Sequence, residues 1–134
     1  MITTEAPEHI TSGVRRCITK ATGLAVADVT LEKTLIGDLS IDSIDMIDLI
    51  YQIEDEFSIE IKIGELEKSA RAHLGEKPFA IDNVISEEGL LVLQELMPEV
   101  PKEKFTPGIM VHQIPYLFSV RSLCGLVTRK LQDV

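Results

Sequence analysis

The apolar residues of this chain fall mostly at helical spacing. Val14, Cys17, Ile18 and Ala21 predict a first helix over residues 6–22, with Gly23 as its stop. Met46, Leu49, Ile50, Ile53 and Phe57 recur at i, i+3, i+4, i+7 and i+11, which predicts a second helix from Ser43 to Phe57 with this stripe facing a core. A short third helix is expected near residues 64–73. In SEEGLLVLQELM, Ser86 is a candidate N-cap before a face of Leu90, Leu93, Leu96 and Met97, and Pro98 ends the segment. Val120, Leu123, Cys124, Val127 and Leu131 predict a last helix over residues 119–131.

Two connections stand out. Residues 24–42 read as a long ordered loop with apolar anchors at Val26, Val29, Leu31, Leu35, Ile36 and Leu39, and a turn at Gly37-Asp38. Residues 74–118 hold five of the six prolines, so PEVPKEKFTPGIMVHQIPYLFS cannot form a long helix. The chain has 134 residues and is 45% hydrophobic but only 4% aromatic, without tryptophan. Such a core is built from Ile, Leu, Val and Met, and that favours packed small helices over a β-sandwich. The expectation is one all-α domain spanning residues 1–134.

Charge changes this picture at one place. The formal net charge is −9, which argues against a nucleic acid partner, because phosphate backbones call for Lys and Arg. Residues 35–70 carry ten acids and two bases, a net −8, so nearly all the excess lies around the second helix. There Asp45, Asp48 and Asp55 share a face distinct from the core stripe. Ile44, Ile47 and Tyr51 form a second apolar strip beside them. That strip either packs on a further part of the chain or meets a partner inside a ring of charge. The opening MITTEAPEHI has neither a basic nor an apolar region of a signal peptide, and no apolar run is long enough for a membrane span. Cys17 and Cys124 sit inside apolar helical patterns, as buried reduced thiols of a cytoplasmic protein do. His9, His73 and His112 are scattered, and no spacing suggests a metal site.

The chemistry converges on Ser43, where the helical pattern begins. Either Asp42 or Ser43 could cap that helix. A calcium loop through Asp38, Ser40 and Asp42 lacks its glycine and its bidentate glutamate, since Ser43 and Leu49 stand there. A nucleophilic serine needs a nearby base, and the sequence offers neither a neighbouring histidine nor a GxSxG elbow. A phosphate ester at a helix N-terminus is a fourth possibility, favoured by free N–H groups and the helix dipole, and on local chemistry alone the plain cap stays open beside it.

The run Gly37-Asp38-Leu39-Ser40-Ile41-Asp42-Ser43-Ile44-Asp45 resembles the prosthetic-group site of acyl carrier proteins, whose usual form is Gly-x-Asp-Ser-Leu at the start of the second helix. The resemblance spans about residues 8–70 and 118–132, including the acidic helix end Glu54-Asp55-Glu56-Phe57. It implies a small four-helix bundle, with residues 71–117 a helical, proline-rich insertion before the last helix. It also implies a carrier and not an enzyme, bearing covalent 4′-phosphopantetheine on Ser43. Asp42, Asp45, Asp48, Glu54 and Asp55, with Ile44, Ile47 and Tyr51, are then similar to the residues that meet basic partner surfaces. Those partners are a phosphopantetheinyl transferase and acyl-loading, ketosynthase and acyltransferase enzymes of fatty acid or lipid biosynthesis. Leu35, Leu39, Ile50, Ile53 and Ile61 line the interior where an acyl chain is sequestered, and equally read as ordinary core. The family's carriers imply a monomer.

The sequence departs from the family at Ser40, where glycine is usual, and at Ile44, where leucine is usual. The insertion is the larger departure, and it suggests either a carrier specialised for long or unusual acyl chains or an extra packing element that only adds stability. Two other readings stay open at this level: a peptidyl or aminoacyl carrier, and an unmodified helical interaction module.

Overall fold

The computed structural model describes residues 6–62 and 64–132. The first five residues, half of the polar opening read above as no signal peptide, lie outside them. The elements are α1 (Glu8–Thr22), a 3-10 turn at Val26–Asp28, α2 (Ser43–Phe57), α3 (Glu65–Leu74), β1 (Ala80–Ile81), β2 (Val84–Ile85), α4 (Glu87–Leu96), 3-10 turns at Lys102–Lys104 and Val111–Leu117, and α5 (Val120–Gln132). The fold is all-α apart from one two-stranded hairpin. The chain forms two compact units. One joins residues up to Ile61 with those from Phe118 onward, and the other is Lys62–Leu117.

In the first unit α1 packs on α2 and α5. Helix α1 starts at Glu8 because Pro7, at φ −58° and ψ 150°, takes the position before it, and the Pro7 carbonyl accepts the Ile10 and Thr11 N–H groups at 3.0 Å. It ends at Gly23, whose φ of +81° is left-handed. Ile10, Val14, Cys17 and Ile18 bury the α1 stripe against Leu49 and Ile53 of α2 and Val120, Leu123, Cys124 and Val127 of α5, in one apolar cluster. Gly13 lets α1 and α2 approach: a Cβ there would lie 2.6 Å from the Phe57 ring. The two cysteines are buried and free, as the pattern implied. Burial pushes the Cys124 thiol up to about 11 and raises that of Cys17, so neither is a thiolate at neutral pH.

The long loop of residues 24–42 is ordered by four buried side chains, Val29, Leu35, Leu39 and Ile41. Val26 was expected to anchor it but is exposed. A polar contact replaces that anchor: the Arg15 guanidinium donates to the Val29 carbonyl at 2.8 Å and to the Val26 carbonyl at 2.7 Å. Residues 31–35 are stitched to the start of α5. The Leu35 N–H donates to the Phe118 carbonyl at 3.0 Å, the Val120 N–H to Lys33 at 2.9 Å and the Arg121 N–H to Leu31 at 2.9 Å.

The second unit holds α3, the hairpin, α4 and the proline-punctuated segment. Helix α3 packs on α4. By contacts this short helix groups with the second unit. The hairpin pairs Ala80 with Ile85 and Ile81 with Val84. Its two turn residues, Asp82 at φ +53° and Asn83 at φ +69°, are both left-handed, as a two-residue turn between twisted strands requires. This hairpin was not read from the sequence. Ser86 caps α4 as expected: its hydroxyl accepts the Gly89 N–H at 3.0 Å and donates to the Pro78 carbonyl at 2.7 Å. Phe79, Ile85, Leu90, Leu93, Met97, Val100, Phe105 and Ile114 are buried. The Arg71 guanidinium of α3 stands 5.2 Å from the centroid of the Phe79 ring.

Candidate prosthetic-group site

The site is the junction of the long loop with α2. Asp42 is the N-cap, with extended backbone, and its Oδ1 accepts the Asp45 N–H at 2.8 Å. The cap therefore falls to the aspartate, and Ser43 becomes the first residue of the helix. Its side chain is exposed, and among the described residues its hydroxyl takes no hydrogen-bond partner. The N–H groups of the first turn are the positive end of the helix. A phosphate ester on Ser43 Oγ would sit at that end, so the residues present fit the phosphate of a pantetheine arm.

The loop reaches this point through two reversals. The Thr34 N–H donates to Asp38 Oδ2 at 2.9 Å, and the Asp38 N–H donates back to Thr34 Oγ1 at 2.9 Å. Beyond them Ser40 adopts φ +57°, a left-handed conformation that suits glycine, between the buried Leu39 and Ile41. Sequence reasoning saw the turn at Gly37-Asp38 but not the part of Thr34. The spacing of Thr34 and Asp38, four residues apart across Gly37, was the available signal.

The eight residues expected at a partner surface separate into two groups. Ile44, Ile47 and Tyr51 are 78%, 52% and 65% exposed, as an unpartnered apolar strip. Asp42, Asp48 and Asp55 are exposed with them, and Asp45 is half-buried. Glu54 is drawn off this face: it is half-buried, and its Oε2 accepts the Ile61 N–H at 2.9 Å, which ties the end of α2 to the segment after it. Of the five interior residues, Leu35, Leu39 and Ile53 are buried members of the apolar cluster. Ile61 is half-buried and packs against that cluster, whereas Ile50, expected in the interior, is half-buried and belongs neither to the cluster nor to the residues packed on it. No group of His, Cys, Asp and Glu among the described residues could hold a metal ion.

Residues 12–71, from α1 through most of α3, match the family described as the phosphopantetheine attachment site. The acyl carrier protein of Thermotoga maritima is 39% identical over 61 residues, a span covering 46% of this chain and 75% of that relative. This chain belongs to the acyl carrier protein family. Its cofactor is covalent 4′-phosphopantetheine, and the protein is a carrier. No solved structure gives a significant match. The matched span takes in the whole loop, Asp42, Ser43 and all of α2. The carrier's helix α5 lies beyond that span, yet packs on α1 in the same unit. No helix among the described residues is long and apolar enough to cross a membrane.

Proposed function

We propose that Ser43 Oγ is the attachment point, and that this carrier holds acyl chains as thioesters and presents them to enzymes of fatty acid or lipid biosynthesis. One observation supports the reading most directly: Asp42 takes the capping hydrogen bond, which leaves the Ser43 hydroxyl exposed at the positive end of α2. Loading forms one bond, from Ser43 Oγ to the pantetheine phosphorus of coenzyme A. The pyrophosphate bond to the nucleotide breaks, the hydroxyl proton passes to a base of the transferase, and adenosine 3′,5′-bisphosphate leaves.

The strip of Ile44, Ile47 and Tyr51 ringed by Asp42, Asp45, Asp48 and Asp55 is the surface read by basic partner enzymes. Contact is brief and weakened by salt, because an exposed one-sign face contributes more to encounter than to affinity. The interior around Leu35, Leu39, Ile50, Ile53 and Ile61 takes the acyl chain when the helices part. The second unit supports a specialised cargo, since it adds a separate buried core to the carrier.

Intact mass tests this directly. The carrier is incubated with coenzyme A and a broad phosphopantetheinyl transferase, beside Ser43→Ala. The expected result is a gain of one phosphopantetheine in the wild type alone. No gain with several transferases, or an equal gain in Ser43→Ala, sinks the assignment. The same measurement on holo-protein isolated from cells reads the cargo. Ordinary-length acyl masses alone would remove the specialised reading and leave the carrier reading standing.

A further inference from the structure

We propose that Thr34 and Asp38 form a clasp whose task is to position Ser43 for modification. The inference rests on the reading that Ser43 carries the prosthetic group. Thr34 is the point on which the loop hangs. Its N–H donates to Asp38 Oδ2 and its hydroxyl accepts the Asp38 N–H, both at 2.9 Å. Its carbonyl accepts the Leu39 N–H at 3.0 Å, and the next carbonyl, of Leu35, accepts the Ile41 N–H at 3.0 Å. Thr34 is in turn fixed to the start of α5, where it bridges to Ser119. Ser43 follows Asp38 by only five positions, and the segment is held at both ends: by the clasp, and by the Asp42 cap on α2. Between them Ser40 sits at φ +57°, a conformation serine does not hold without being held.

Two further features separate this clasp from general packing. Both of its hydrogen bonds are exposed, so they add little to the buried core. Gly37 closes against it: a Cβ at Gly37 would stand 2.8 Å from Thr34 Oγ1, so any side chain there would press on the clasp. The energetic result is order in the loop that presents the Ser43 hydroxyl. Fixing a nucleophile's approach changes the rate of the step it enters, and small misplacements are costly. Asp38 is a positioning residue, which acts through Ser43.

Steady-state loading by one transferase, with the full chain and coenzyme A, tests the proposal. Asp38→Ala and Thr34→Val remove the clasp. Asp38→Asn keeps an oxygen to accept the Thr34 N–H but removes the charge. Val127→Ala, in the buried α5 stripe far from the loop in sequence, serves as a control for lowered stability. The clasp predicts that Asp38→Ala and Thr34→Val lose roughly tenfold in kcat with the KM for the carrier kept. It also predicts that Asp38→Asn retains the wild-type rate, and that Val127→Ala loads normally despite a lower melting temperature. Wild-type kcat in folded Asp38→Ala overturns the proposal. So does an equal loss in Asp38→Asn, which would make Asp38 a charge read by the partner. A loss in Val127→Ala matching that of Asp38→Ala would reduce the clasp to stability alone. A wild-type chain that gains no mass removes the Ser43 assignment itself, and this proposal with it.

Discussion

At the scale of one residue, Ser40 carries backbone strain beside the site. A side chain at φ +57° brings its Cβ against the backbone, and glycine avoids that contact. Relief of that contact contributes about 1–2 kcal/mol and the added freedom of the unfolded chain opposes it by about 0.4–1 kcal/mol, so Ser40→Gly is expected to stabilise the carrier by up to about 1 kcal/mol. Urea unfolding reads this as a higher midpoint at unchanged slope. A lower midpoint would mean that unfolded-state entropy outweighs the relieved strain. The sequence did not reveal this conformation, because serine is no signal for the left-handed region. Only the resemblance, which puts glycine there, hinted at it. The pair Asp42 and Ser43 was ambiguous for a related reason. Both residue types cap helices well, and a shift of one residue decides which hydroxyl or carboxylate turns back on the first turn.

Whole elements were more legible where periodicity runs for several turns. Helix α2 runs from Ser43 to Phe57 as its apolar spacing required, and α4 begins after Ser86 as its cap required. The hairpin escaped notice because each strand has two residues, too few for alternation to register. Its signal was chemical: Asp82-Asn83 between apolar pairs, both residue types that tolerate φ above zero. The hairpin also sets how closely α4 can pack. A Cβ at Gly89 would lie 2.5 Å from the Phe79 carbonyl oxygen and 2.9 Å from Ile85. That carbonyl cannot easily retreat, because it accepts the Ser86 N–H at 2.8 Å beside the α4 cap. Gly89→Ala should thus destabilise by roughly 1–3 kcal/mol, although alanine is by far the better helix former. Thermal unfolding checks the sign, and a stabilised Gly89→Ala would show that propensity outweighs the collision.

For the whole molecule the uneven charge has two opposed consequences. The net −8 of residues 35–70 was legible by counting, and the structure places much of it on the exposed side of α2. Helix α2 carries Glu54, Asp55 and Glu56 at its C-terminal end, where the dipole favours cations, and no base in its last turn. Two of these acids find partners within the first unit. Glu54 accepts the Ile61 N–H, and Glu56 lies 3.8 Å from Arg16 of α1. Asp55 is left exposed among like charges. Such a face costs folding stability through self-repulsion and speeds encounter with a basic enzyme through attraction. Both effects decay with the same screening length, about 30 Å at 0.01 M salt and about 3 Å at 1 M. Added sodium chloride should therefore raise the melting temperature of the carrier while slowing its association with a transferase. Asp55→Lys should reproduce both shifts at low salt, stabilising by about 0.3–1 kcal/mol and lowering the association rate. Scanning calorimetry and stopped-flow binding across a salt series measure the two together. A melting temperature that falls with salt would show that attractive pairs such as Arg16–Glu56 dominate, and that the acidic face costs the fold nothing. An association rate indifferent to salt would leave Ile44, Ile47 and Tyr51 as the whole of the recognition surface.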